Sequence, residues 1–406
     1  MLMRTAPLAQ VDRASSGLKV PLAWHLPPPV MSAVDSGLMG MTLDDIEGLL
    51  MRSRLYAHAA GDLASFTPYP GLMSSPLRRI GNKSVQELTG ICAGSLQVWL
   101  KCDHETPIGN SIHARAVTHA LLPKWPVSKI AVLGSPGLAA CAARMGKSMG
   151  WSVEHHSARP LASDIRWGLA KAGVIQHVHH CTPGDVRIVM ASQVSRDPAT
   201  CWIDACESED TALAYACAAI ELKEQLHGAG VKVDSKNPLL VLVPNAEGVS
   251  AAALAMALKQ IYGRAVRTVL VEEDANLSLL PSLMDWPRTS EHYRPHLPWV
   301  LARRAVAGVL TVEQAVLQEW VKLVSRRLGW TLSPMGVAAL ASLGMATAEY
   351  SGLPSAARSM WGDRVDAPCR NVVVWLTEAA GEGAVGQTPT AQTSGEDCES
   401  PVQDTD

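Results

Sequence analysis

The sequence predicts an α/β protein built on open, mostly parallel sheets, and two observations carry the prediction. Short β-branched apolar runs alternate with Ala-rich stretches of helical length from about residue 97 to 271, the pattern of successive strand–helix units. The runs at 239–243 and 372–375 are apolar without alternation, as strands covered by helices on both faces require.

The elements follow in chain order. Residues 1–40 are rich in Pro, Gly and Ser, with Pro27-Pro28-Pro29 inside them, and read as a flexible leader. A helix is expected from Thr42, because Asp44 and Asp45 in its first turn favour the helix dipole. Ser75-Pro76-Leu77 opens an extended segment, 97–100 reads as a strand and 111–122 as a helix. Strands are then expected at 129–133, 152–156 and 176–180, separated by helices at 138–149 and 162–172. A long helix at 211–227 precedes a buried strand at 239–243, a small-residue helix at 251–261 and a strand at 266–271. After Gln314 the pattern turns mostly helical, and 371–376 is a last strand. Residues 382–406 are polar and acidic with few large apolar groups, and are expected to be disordered.

At 406 residues the chain is long enough for two or three domains with a sizeable core. Apolar residues make up 48% and charged residues 18%, with a net charge of −3. That balance argues against nucleic acid as a partner. No run of membrane-spanning length occurs, and the N-terminus lacks a continuous apolar core of secretory length. Nine cysteines without C-x-x-C spacing suit free thiols in a reducing compartment. A cytoplasmic protein with no membrane contact is the expectation.

The most informative segment is Lys101-Cys102-Asp103 followed by Pro107-Ile108-Gly109-Asn110-Ser111-Ile112-His113-Ala114-Arg115. It resembles the cofactor-attachment segment of the D-serine dehydratases, in which L-K-x-D leads into P-I-S-G-S-I-K-A-R. Further segments match in the same order between about residues 42 and 381: Ser75-Pro76-Leu77, the 130–138 stretch with Gly134-Ser135-Pro136-Gly137, the 237–244 strand, Leu332-Ser333-Pro334, and Val374-Trp375-Leu376-Thr377. The resemblance implies the two-domain fold of type II pyridoxal phosphate enzymes, related to the tryptophan synthase β chain. Residues 41–114 and 207–381 would form the large domain and 115–206 the small one, with the active site between them. The implied ancestral reaction is α,β-elimination of D-serine to pyruvate and ammonia, and the implied ligand is a small amino acid.

The departures fall on the chemistry. His113 stands at the position of the lysine that holds the cofactor as an imine, and an imidazole has no primary amine to do so. The family's phosphate loop of consecutive glycines is Asn245-Ala246-Glu247-Gly248-Val249-Ser250 here, and keeps only Gly248. A Glu247 carboxylate ~6 Å from a phosphate would cost roughly 3 kcal/mol at an effective dielectric of about 20. In the Ser135–Leu138 loop, the family's threonine and asparagine are Pro136 and Leu138, while Ser135 and Gly137 remain. Thr377 remains where the family sets a hydroxyl against the pyridine nitrogen, but the glycines after it are Glu378-Ala379-Ala380. The resemblance therefore assigns Ser135, Gly137, Gly248 and Thr377 to cofactor-equivalent positions. The reading adopted is a catalytically degenerate member. An active D-serine ammonia-lyase with atypical cofactor binding, through Lys101 or Lys124, stays open, as does a binding or regulatory protein using the cleft.

Two other clusters are weighed and set aside. His177, His179, His180 and Cys181, with His155 and His156 nearby, carry zinc-ligand chemistry. One short strand, however, presents only two of these histidines on one face, so they read as exposed strand histidines and no metal is expected. Glu272-Glu273-Asp274 reads as a solvated strand end.

Overall fold

The computed structural model describes residues 22–25, 74–89, 96–106, 109–121, 127–205, 208–246, 248–273, 297, 301–302, 305–352 and 371–380. The expected helix at Thr42, the acidic tail 382–406, Lys124, Glu247 and Asp274 lie outside these residues.

Two sheets form the framework. The larger has seven strands in the order β1-β10-β9-β8-β11-β3-β2. These are β1 (Leu22–His25), β2 (Leu77–Ile80), β3 (Gln97–Cys102), β8 (Leu239–Pro244), β9 (Val266–Glu273), β10 (Val306–Val312) and β11 (Asn371–Leu376). Its five inner strands run parallel, and β1 and β2 close the two edges antiparallel. β1 falls within the leader segment, whose composition of turn-forming residues hides it. The smaller sheet is all parallel in the order β6-β5-β4-β7. It comprises β4 (Lys129–Leu133), β5 (Ser152–Ser157), β6 (Val174–Val178) and β7 (Thr200–Asp204).

Nine helices are described: α1 (Asn82–Thr89), α2 (Ala114–Leu121), α3 (Pro136–Met149), α4 (Ser163–Lys171), α5 (Pro183–Val194), α6 (Glu209–Gly228), α7 (Val249–Tyr262), α8 (Gln314–Leu328) and α9 (Pro334–Gly352). Every residue of β8, β9 and β11 is buried, because α6 and α7 cover one face of the large sheet and α8 and α9 the other. The Ala-rich α6 and α7 let two helices pack tightly on each other and on the sheet, which explains those runs without a ligand.

The strand expected at 176–180 begins two residues earlier and ends at Val178. The Glu272-Glu273 reading is overturned. Glu272 is fully buried and Glu273 nearly so, because β9 continues to Glu273 between β8 and β10. The Asn245 side-chain amide donates to the Glu272 carboxylate there.

This framework sets the site. β3, β8 and β11 are neighbouring parallel strands in matched register, with Leu376 opposite Cys102 and Val374 opposite Leu242. The segments that follow them, 103–113, 245–248 and 377–380, therefore leave the same end of the sheet. That carboxyl end is where open α/β sheets bind ligands.

Candidate functional site

His113 sits at the entrance to α2, in a loop held on three sides. Ile112 N–H donates to Thr377 O at 2.8 Å, Ala379 N–H donates to Asn110 O at 3.0 Å, and Ser111 pairs with Glu378. Arg144 on α3 donates to Gly109 O at 2.9 Å. Thr377 is thus joined to the His113 loop by backbone. Ser135, two residues past the end of β4, caps α3, accepting from Leu138 N–H at 3.0 Å, with Pro136 at the first helical position.

The imidazole bridges these parts. His113 Nδ1 is 2.7 Å from the Tyr215 hydroxyl on α6, and Nε2 is 3.4 Å from Ser135 Oγ. Burial, with Arg144 adding to it, pushes the ring down to about 4, so it is neutral at pH 7. The Glu378 carboxylate lies 4.0 Å from Nε2. With the ring neutral this is a contact with a polar ring and not an ion pair. No motif in the sequence marks Tyr215 or Glu378 as a partner of His113. Tyr215 is one polar aromatic inside an alanine run, a faint signal. Glu378 showed only as a lost glycine.

Glu378 is built in from two sides. Ser333 donates to Glu378 Oε1 at 2.7 Å and accepts from Gly336 N–H at 2.9 Å at the start of α9. On the other side a Cβ on Gly137 would fall 2.5 Å from Glu378 Oε2 and 3.3 Å from His113 Nε2. A Cβ on Gly336 would strike the backbone carbonyl of Glu378. The carboxylate therefore rests between the N-termini of α3 and α9, reached because both helices begin with glycine in their first turn. Burial raises its pKa, against the Ser333 hydrogen bond and Arg144.

Beneath the loop lies a buried charge network. Lys101 Nζ pairs with Glu221 and donates to Ser75 O at 2.6 Å. Arg115 bridges Asp103 at 2.9 Å and Glu221 at 2.8 Å, and Trp375 Nε1 donates to Asp103 at 2.6 Å. Two cations face two carboxylates, so the group is neutral as a whole. Burial lowers the Lys101 pKa, opposed by Asp103 and Glu221.

Gly248 caps α7 with a left-handed φ of 96°.

A family model described as "Pyridoxal-phosphate dependent enzyme" matches residues 76–358. The chain belongs to that family. Its relatives include a probable D-serine dehydratase of Acidovorax sp. (strain JS42), 27% identical over 409 residues, covering 86% of this chain and 88% of the relative. Another, from Pseudomonas putida (strain GB-1), is 27% identical over 270 residues, covering 58% and 59%. Among solved structures, diaminopropionate ammonia lyase from Escherichia coli superimposes with a TM-score of 0.61 at 14% identity, covering 90% of this chain and 95% of that one. Maize serine racemase gives 0.57 at 16%, covering 83% and 93%. These place the fold among the type II pyridoxal phosphate enzymes.

The residues present do not fit the family's cofactor as an imine-held group. The position that the resemblance assigns to attachment is His113, whose imidazole is hydrogen-bonded to Tyr215. Lys101, the nearest lysine in sequence among the described residues, is fully buried and paired with Glu221. The approach over Gly137 is taken by the Glu378 carboxylate.

Proposed function

We propose that this protein is a D-serine dehydratase homologue that keeps the fold and does not carry out the family's elimination. The observation that carries the reading is His113: a buried, neutral imidazole, tied to Tyr215, at the position where the family needs a primary amine. Loss of the amine removes both the covalent hold on the cofactor and the proton carrier that the family's lysine supplies. Glu378 supports the same reading, since the chain sets its own carboxylate over Gly137. The retained ligand class is a small amino acid, the class represented by a structural neighbour solved with D-serine. Glu378 occupies the space over Gly137 where a ligand carboxylate would otherwise sit.

Cys102, Cys141 and Cys181 are free thiols, and among the described residues no helix is long and apolar enough to cross a membrane. Free thiols support placement in a reducing compartment such as the cytoplasm.

The test is spectroscopic. After incubation with pyridoxal phosphate the full-length protein should show no aldimine absorption band. Borohydride reduction and peptide mass spectrometry should find no stoichiometric adduct on Lys101 or Lys124, and D-serine should yield no pyruvate. A stoichiometric adduct with pyruvate release would replace this reading with that of an active ammonia-lyase.

A further inference from the structure

The small sheet holds a second cluster of chemistry, away from His113. β5 and β6 pair in parallel with His156 opposite His177 and Glu154 opposite Ile175. Residues two apart on a strand share a face, so Glu154 and His156 of β5 stand beside His177 of β6. His179, just past the end of β6, is held to the same edge by its N–H to Ser157 O at 3.0 Å. The sequence considered alone showed one strand with two co-facial histidines. The register supplies the third imidazole and a carboxylate.

The distances suit a metal. His156 Nε2 lies 3.4 Å and His177 Nε2 3.8 Å from the same oxygen, Glu154 Oε2. Two ligand atoms each about 2.0–2.1 Å from a tetrahedral zinc ion stand roughly 3.3–3.4 Å apart. Neither Nε2 has a hydrogen-bond partner, although both atoms are buried. The His156 side chain is only 4% exposed, and orphaned buried imidazole nitrogens are costly unless something binds them.

The surroundings prepare the donors. His156 Nδ1 is 3.0 Å from His179 Nε2. If Nδ1 carries the proton and donates it to His179, the lone pair of His156 is left on Nε2, toward Glu154. A metal-binding histidine characteristically donates its other N–H in this way. Glu154 spends its other oxygen on Lys129, 3.1 Å away, which leaves Oε2 to face the two rings. The His156 and His177 rings are stacked at 4.6 Å with 12° between planes. Both in-plane lone pairs meet at one ion once His177 tilts, and its side chain, 42% exposed, has room to do so.

We propose that Glu154, His156 and His177 form a binding site for a divalent transition metal ion of the zinc class, with His179 orienting His156. Two imidazoles and a carboxylate leave a fourth position for water. The ion would join β5 to the edge strand β6.

The experiment uses untagged full-length protein stripped with EDTA. Zn²⁺ is titrated calorimetrically, and Co²⁺ is followed by its visible d–d absorption. One equivalent should bind, with the intense bands of a tetrahedral cobalt site. His177→Ala and Glu154→Gln should each weaken binding at least tenfold, and His179→Phe about tenfold or more, as expected for an orienting partner. His156→Gln should abolish it. Circular dichroism checks each fold, and if His156→Gln does not fold, the half-exposed His177→Ala decides. Absence of saturable binding would overturn the proposal, as would affinity unchanged in His177→Ala. So would binding that is lost in His104→Gln, since Cys102, His104 and Glu105 form the other described cluster of ligand atoms.

Discussion

The imidazole of His113 is neutral in the fold and must take up a proton when acid unfolds the chain. Its pKa falls from 6.5 to about 4 on folding. A depressed pKa stabilises the fold fully above the unfolded value and loses that contribution as pH falls through the folded one. The window is therefore about pH 6.5 down to 4, and the contribution is about 3 kcal/mol. Glu378 acts in the opposite sense, because its pKa is raised. Comparing urea stabilities of wild type and His113→Gln across pH isolates the histidine. The stability advantage of wild type over the variant should shrink as pH drops from 6.5 to 4, and a constant difference would contradict the neutral, buried ring. Gly137→Ala should cost roughly 1–3 kcal/mol by crowding Glu378. Most of that cost should vanish in a Glu378→Gly background, which a double-mutant cycle reads directly.

At the scale of elements, the network under the loop ties β3 to α2, α6 and β11 through Lys101, Arg115, Glu221 and Trp375. Glu221→Ala leaves two buried cations short of a partner and should cost roughly 3–5 kcal/mol in chemical denaturation. Lys101→Met combined with Glu221→Leu removes a cation and a carboxylate together and should cost less than Glu221→Ala alone. The sequence made much of this scaffold legible. β4, β8 and β11 stood out because their apolar runs are continuous, and α6 because its length and alanine content exceed those of any strand. What escaped has physical reasons. β7 reads Thr-Cys-Trp-Ile-Asp, with no apolar run to mark it. α5 carries a clear capping box at Thr182 and Asp185, yet its apolar face is blurred by exposed Ile188 and Val189. β10 was lost in the approach to the helical C-terminal region. At the site, His113, Ser135 and Gly137 were readable from the motif. The partners Tyr215 and Glu378 come from distant segments, and no local spacing announces a contact across 102 residues.

Over the whole molecule, one apolar core reaches both sheets. Ile130 and Val132 of β4 belong to the same buried cluster as Leu239 and Val241 of β8, connected through α2, α6 and α7. The two sheets should therefore unfold together. Calorimetry should give one transition, coincident by far-UV and near-UV circular dichroism, while two resolved transitions would mean that the small sheet unfolds on its own.

The seating of Glu378 between two helix starts also sets a concentration scale. A side chain on the same chain as its pocket is a tethered competitor, present at an effective concentration of roughly millimolar or higher. Any free carboxylate entering that space would meet the tethered competitor at every encounter, and its apparent affinity would fall by one plus the side chain's effective concentration divided by its own dissociation constant. Changing that one acidic residue would empty the space between the two helix starts while leaving the rest of the wall as it stands.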